Sequence, residues 1–412
     1  MKRIPLVLSA FLWVGAISLD PADLAAQSRS RSGEPRSGEP RSGEPGAGER
    51  GRDGEGTADR RERRSTTRPA SRTQAGLADR VADRDGLDVD RRRADDEAAR
   101  DAAFRDEAPT RRLNLGTRTL GGVQFWGDEL YFHEWRIQRN ALTGHCRLLD
   151  PDNRRQAWGT FEQCRGRLEE IKRQRELPPM RGRAVLVLHG LGGWRSTMEP
   201  LADYLERNSD FTVLNITYPS TRGELADHAR ALASVVDNLE GIEEINFVAH
   251  SLGNLVIRHY LADAADPESG RSADPRIKRI VMLAPPNHGS ERAARWSDND
   301  LFLAVLGGAA QQLGSGWSSV ETRLATPACQ FGILAGGRGD ERGYSSRLQG
   351  DDDGTLSVST TRLAGARDFM TVPVWHSFMM FHPRVQEYTL RFIEEGYFVS
   401  DARRRPILDN GN

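Results

Sequence analysis

Ser251 lies within the run Ile245-Asn-Phe-Val-Ala-His-Ser251-Leu-Gly-Asn-Leu, where an apolar strand pattern leads straight into a helical one. A serine hydroxyl is a poor nucleophile until the backbone lifts it clear and a base takes its proton. A sharp strand-to-helix turn does the lifting. It needs small residues two before and two after the serine, because the strained turn leaves no room for larger side chains. Ala249 and Gly253 occupy those positions. A serine that only caps an ordinary helix would account for the hydroxyl, but not for the small residues on both sides. The chemistry such a serine performs is acyl transfer through a covalent intermediate.

The base must itself be oriented by an acid, and on a sheet that carries its serine on such an elbow the order along the chain is Ser, then Asp or Glu, then His. Of nine histidines, only His376 and His382 follow His288. His376 comes directly after the last apolar run, where a loop can return the ring over the sheet. His382 precedes Pro383 at the start of a helical pattern, where a histidine caps or packs. His376 is therefore the expected base. The acid is expected in the loop after Phe331–Ala335, which holds Asp340, Glu341 and Asp351-Asp352-Asp353-Gly354. Asp353 is favoured because Gly354 permits a tight turn before the apolar pattern resumes at Leu356, with Asp352 as the alternative. Adjacent carboxylates are also what a solvated loop looks like. A calcium loop starting at Asp351 would want Gly and Glu where Leu356 and Arg362 stand. A phosphatase-type Asp-x-Asp-x-Thr should follow an apolar strand, and here it follows Arg347-Leu-Gln-Gly.

The remaining requirement is a pair of donors for a developing oxyanion. Leu188-His189-Gly190-Leu191-Gly192-Gly193 follows the first apolar run of the alternating region, and such a turn can aim a backbone N–H. The expected donors are the N–H groups of Leu191 and Leu252, each contributing about 3–4 kcal/mol to the transition state. As a dinucleotide fingerprint the same loop is incomplete, since Arg195 stands in the place of the third glycine. No Cys/His cluster has metal-site spacing, so no metal is expected, and no phosphate-binding loop is present.

Those residues need a scaffold, and the region from Arg183 onward supplies its pattern. Apolar runs at Ala184–Leu188, Phe211–Ile216, Ile245–Ala249, Ile277–Leu283, Phe331–Ala335 and Phe369–Val374 are short and mostly continuous, as in strands buried on both faces of a parallel sheet. Helical patterns at Thr197–Asn208, Glu224–Leu239, Leu252–Ala264 and Pro383–Glu394 separate them. This alternation predicts an α/β fold with a doubly wound, mostly parallel sheet over residues 180–400, followed by a short tail over 401–412. The insertion Asn287–Cys329, with its apolar Leu301–Leu306, is a candidate lid.

Before the sheet, residues 113–179 read as a hairpin and a helix. Val123–Arg139 is aromatic and β-branched, Thr143-Gly144 supplies a turn, and Thr160 with Gln163 has capping-box spacing. Cys164 falls on the helix's apolar stripe with Phe161, Leu168 and Ile171, and a Cys146–Cys164 disulfide is an expectation that export would favour. Residues 27–112 carry three Arg-Ser-Gly-Glu-Pro repeats and dense charge, with too few apolar residues to offset ordering entropy, which predicts a disordered arm. Lys2, Arg3 and the apolar Ile4–Leu19 read as a signal peptide ending near residue 26, hence an exported protein, with an uncleaved anchor as the alternative. The formal net charge of −1 and charges of both signs along the arm give no basis for nucleic-acid binding.

Taken together these residues resemble the α/β-hydrolase superfamily, and within it bacterial lipases and esterases with an Ala-His-Ser-x-Gly elbow. The likeness covers about Arg183 to Tyr397. Asp353-Gly-x-x-Ser-Val is similar to the acid loop of such lipases. Leu283-Ala-Pro-Pro-Asn-His-Gly-Ser290 is similar to the segment after the sixth strand of lipases and of glycosylphosphatidylinositol inositol-deacylase-like proteins. The resemblance implies carboxyl-ester hydrolysis without a cofactor, on a small-molecule or lipid ester, and leaves contact with a membrane surface open. An acyltransferase would use the same residues, and a non-catalytic envelope-binding protein could keep the same fold.

Overall fold

The computed structural model of the protein describes residues 123–290 and 308–408. All of these belong to one compact unit, and the chain's other unit, Leu19–Ala108, lies outside the described residues. Outside them too fall the expected signal peptide and disordered arm, and the Leu301–Leu306 segment of the candidate lid.

Six strands, β5 (Gly182–Leu188), β6 (Thr212–Ile216), β7 (Ile242–His250), β8 (Ile277–Leu283), β9 (Gln330–Gly337) and β10 (Asp368–Pro373), form one sheet in the order β10-β9-β8-β7-β5-β6. Every neighbouring pair is parallel. Their apolar runs are continuous because successive side chains enter different cores. Ala184, Leu186, Leu188, Phe247, Ala249, Ile280 and Met282 face one layer, and Val185, Val187, Val248, Val281 and Leu283 face the other. Helices α3 (Leu225–Asp237) and α4 (Leu252–Ala265) cover the first layer, through Leu232, Val236, Leu255 and Tyr260 among others. Helices α2 (Arg195–Asn208) and α6 (Pro383–Glu395) cover the second, through Leu201, Leu205, Val385 and Phe392. Pro383 at the start of α6 and Gly396 at its end, with φ +83°, are the helix's own start and stop signals.

The strand order places the site. The chain leaves β5 toward β6 on one side, then crosses back to lay β7 on the other side of β5. The loops after β5 and β7 thus diverge from adjacent strand ends, and ligands bind at such a switch point. Leu188 pairs with Ala249 in the β5–β7 register, so the glycine turn and Ser251 emerge side by side.

The N-terminal extension is larger than a hairpin. It is a four-stranded antiparallel sheet, β1 (Trp126–Phe132), β2 (Trp135–Asn140), β3 (Cys146–Leu149) and β4 (Arg155–Gly159), followed by α1 (Phe161–Gln174). The Val123–Arg139 run is really two strands reversing at His133-Glu134, a turn without Gly or Pro that His133 makes at φ +51°. Strand β4 carries little apolar pattern, since only Ala157 and Gly159 are buried in it. The capping box of α1 forms as its spacing predicted: Gln163 N–H donates to Thr160 Oγ1 and Thr160 N–H to Gln163 Oε1. Cys164, Leu168 and Ile171 face inward.

No disulfide joins Cys146 to Cys164, both of which are buried. Cys164 sits instead against the backbone of Leu148, two residues along β3 from Cys146 and so displaced by about 7 Å. Burial pushes its thiol up to about 12, which keeps it from thiolate chemistry.

Asp128 clips the extension to the main sheet. Its backbone N–H donates to Thr217 O at 2.8 Å, and its carboxylate accepts from Thr217 N–H at 2.6 Å and Gln138 Nε2 at 2.7 Å.

Candidate active site

Ser251 stands between β7 and α4 with φ +51° and ψ −121°, a backbone conformation that a residue with a Cβ adopts only under strain. Three contacts hold it there. Ser251 N–H donates to Leu283 O at 2.9 Å, and Asn254, fully buried, donates from Nδ2 to Ser251 O at 3.0 Å and to Leu283 O at 3.3 Å. The requirement for small flanking residues has a visible cause at Gly253, where a Cβ would stand 2.8 Å from His189 O and 3.0 Å from Leu188 Cβ. Leu252 opens the helix, so its N–H has no carbonyl from a preceding turn to bond.

His376 begins a short 3-10 turn after β10. Its Nδ1 lies 2.6 Å from Asp353 Oδ2, and its backbone N–H donates to Asp353 O at 2.9 Å, so ring and backbone are fixed by the same residue. The other oxygen of Asp353 accepts from Thr355 N–H at 2.9 Å and Leu356 N–H at 2.7 Å. Asp353 is 1% exposed, and its side-chain oxygens take three contacts, from His376 Nδ1, Thr355 N–H and Leu356 N–H. Nδ1–H thus donates to Asp353, leaving Nε2 to accept a proton. Gly354, at φ +87°, gives the turn that returns the chain to Leu356, and a Cβ there would meet the Trp375 ring at 2.6 Å.

His250 joins the two halves. Its Nε2 lies 3.1 Å from His376 O, the two rings are 4.6 Å apart, and burial together with the neighbouring His376 holds its imidazole well below the ordinary range, hence neutral.

The turn after β5 closes by Gly193 N–H donating to Gly190 O at 3.0 Å, with Gly192 at φ +69° in third place, where a type II turn needs glycine. It packs against Ser251: a Cβ on Gly190 would lie 3.0 Å from Ser251 Cβ and from His250 Nδ1. Beneath it His189, Tyr218 and His228 stack in the core, with rings 4.2 Å and 5.0 Å apart. His189 Nδ1–H donates to Gly190 O at 2.9 Å, while its Nε2 accepts from Tyr218 N–H at 3.4 Å.

Burial holds both His189 and His228 neutral and pushes each down to about 4. The unfolded chain titrates near 6.5, so it binds more protons than the native state between those values. The stability each contributes is complete above about pH 6.5 and is lost as pH falls toward about 4, roughly 3 kcal/mol for each. Urea midpoints are therefore expected to fall from pH 7 to pH 5. His228→Phe, which removes a buried Nε2 with no partner, should flatten that slope. A variant whose profile ran parallel to the wild type would assign the acid sensitivity elsewhere.

The structure brings His376 and Asp353 into contact and sets them beside the residue preceding Ser251. It separates Asp352 from them: that carboxylate accepts from Gly354 N–H at 2.6 Å and Ser345 N–H at 3.0 Å. Asp351 accepts from Arg338 N–H at 2.7 Å and Gly339 N–H at 2.9 Å. His382 is the N-cap residue of α6 and makes no side-chain capping bond. Sequence reasoning missed the supporting roles of Asn254 and His250, although both lie inside the elbow motif, because a buried amide's partner is set by the neighbouring strand, here Leu283.

A six-stranded parallel sheet with a serine elbow at its switch point and an Asp–His pair on its last two loops defines the α/β-hydrolase class. The profile of the alpha/beta hydrolase family matches residues 185–396, a little over half of the sequence, and the chain belongs to that family. Among solved structures it is similar to a gene product of Listeria innocua, at 16% identity over 55% of this chain and 97% of that one, with a TM-score of 0.37. It is also similar to the mature form of the lipase BlEst2 from Bacillus licheniformis (17% identity, 49% and 88% of the two chains, TM-score 0.37). The lipase of Staphylococcus hyicus is a third such structure, at 10% identity over 49% and 89% of the two chains, TM-score 0.37. Among proteins of curated function, none matches the sequence.

Proposed function

We propose that this hydrolase cleaves carboxyl esters through Ser251, His376 and Asp353. The observation that carries the reading is the oriented His376–Asp353 pair, which turns Nε2 to the role of base in the same site as a serine held at φ +51°. Ser251 Oγ attacks the ester carbonyl as His376 Nε2 takes its proton, and the N–H groups of Leu191 and Leu252 receive the oxyanion. His376 then protonates the departing alcohol. Water, deprotonated by the same ring, releases the acyl group and restores the serine. The substrate is a small-molecule or lipid ester, and the Lys2–Leu19 segment is read as an export signal, with an uncleaved anchor as the alternative.

A fluorophosphonate probe should label Ser251 in the folded chain, and a series of nitrophenyl esters should show which acyl length is turned over fastest. Folded protein that neither labels nor hydrolyses any member of the series would leave a binding protein on a hydrolase fold. Preferential transfer of the acyl group to an added alcohol would make it an acyltransferase.

A further inference from the structure

The family match begins at residue 185, yet a side chain from well before it reaches the glycine turn beside Ser251. Gln124, in the 3-10 turn Val123–Phe125 that leads into β1, donates from Nε2 to Gly193 O at 2.6 Å. Its Oε1 accepts from Thr221 N–H at 3.2 Å, Thr221 Oγ1 at 3.0 Å and Ser220 Oγ at 3.4 Å. Ser220, fully buried, in turn accepts from Gly192 N–H at 3.0 Å. One amide thus spans the turn after β5 and the loop after β6, and both outer residues of the turn's glycine pair are tied: Gly193 through its carbonyl, Gly192 through its N–H.

A turn containing three glycines has little stiffness of its own. An oxyanion donor is useful only if it is held within a few tenths of an ångström of where the charge develops, before the charge appears. Within the turn, the Gly190–Gly193 bond closes the loop but does not fix its tilt over Ser251. The bonds to Ser220 and Gln124 do, because they reach a separate, buried segment. The clip at Asp128 and Thr217 anchors the start of β1, and hence Gln124, to the same loop.

We infer that Gln124 is a positioning residue for the oxyanion turn, and that the N-terminal extension is in this way part of the catalytic apparatus. The inference rests on the ester-hydrolase reading of the site. Gln124 acts through Gly193 and Ser220.

The test uses full-length Gln124→Ala and Gln124→Glu. Glutamate keeps the acceptor for Thr221 but sets a carboxylate oxygen against Gly193 O, so it separates anchoring from turn placement. Active sites are counted by exhaustive fluorophosphonate labelling, and kcat is expressed per labelled site, so loss of folded protein does not register. Both variants are expected to lose ten- to a hundredfold in kcat and in the rate constant of labelling, with KM within about twofold of wild type. A kcat per labelled site within twofold of wild type in Gln124→Glu would overturn the inference, as would a loss confined to KM. A wild-type chain that neither labels nor hydrolyses would instead defeat the ester-hydrolase reading, an outcome distinct from either.

Discussion

Ser251→Ala is expected to lower kcat on a nitrophenyl ester by about 10⁵-fold or more, with almost no change in thermal midpoint. The size follows from the role: when an activated nucleophile is removed, only binding and oxyanion stabilisation remain, and such losses reach about 10⁶ in serine hydrolases. The small thermal effect follows from the contacts. What fixes residue 251 is its backbone, through Leu283 O and the Asn254 amide, and none of those bonds uses the hydroxyl. Ser251→Gly extends the argument. Glycine takes φ +51° without steric cost, so that variant should be equally inactive yet more stable than wild type by about 1 kcal/mol. Strain at the elbow is then a cost the fold carries for function. Residual turnover above about one part in a thousand, in protein cleared of other esterases, would remove Ser251 from the mechanism.

How much of this was legible in the sequence depends on the range of the interactions concerned. The six sheet strands were readable because each is buried on both faces, and Ile277–Leu283 shows the same limits in pattern and structure. The elbow was readable because its constraint is local: Gly253 must be small since His189 O and Leu188 Cβ crowd it, and that demand is written at one position. The extension was read less well. Its last strand buries only Ala157 and Gly159, and the reversal at His133-Glu134 uses residues with no turn signature. The missing disulfide is a failure of reach, since sharing an apolar face does not bring two sulfur atoms into register. Gln124 had no signal at all. An isolated glutamine ahead of an aromatic run means nothing until the fold brings Gly193 and Thr221 to it.

The run Asp351-Asp352-Asp353 is where sequence left two candidates for one role, and there the structure supports a sharp contrast. Asp353→Asn is expected to reduce kcat by about 10⁴-fold. Asp353 Oδ1 receives two backbone N–H groups, from Thr355 and Leu356, so an asparagine must keep its carbonyl oxygen on that side. Its NH₂ is then forced toward His376 Nδ1, 2.6 Å away in the wild type. The ring can accept that bond only by moving its proton to Nε2, and an Nε2–H imidazole cannot take the proton of Ser251. Asp352→Asn should behave quite differently. Burial raises the pKa of Asp352, and its oxygens serve the N–H groups of Ser345 and Gly354 rather than the His376 ring. An amide oxygen in the place of Oδ1 keeps Gly354 and Ser345, but an NH₂ cannot take the second contact of Ser345 N–H, 3.2 Å from Oδ2, so the loss is one of loop stability, about 1–2 kcal/mol. Its kcat at 25 °C should stay within a few-fold of wild type. Parallel kinetics and urea melts on the two variants decide between the carboxylates. If Asp352→Asn lost the greater share of kcat while Asp353→Asn lost mainly stability, the acid of the site would be Asp352, and the His376–Asp353 contact would be a structural bond.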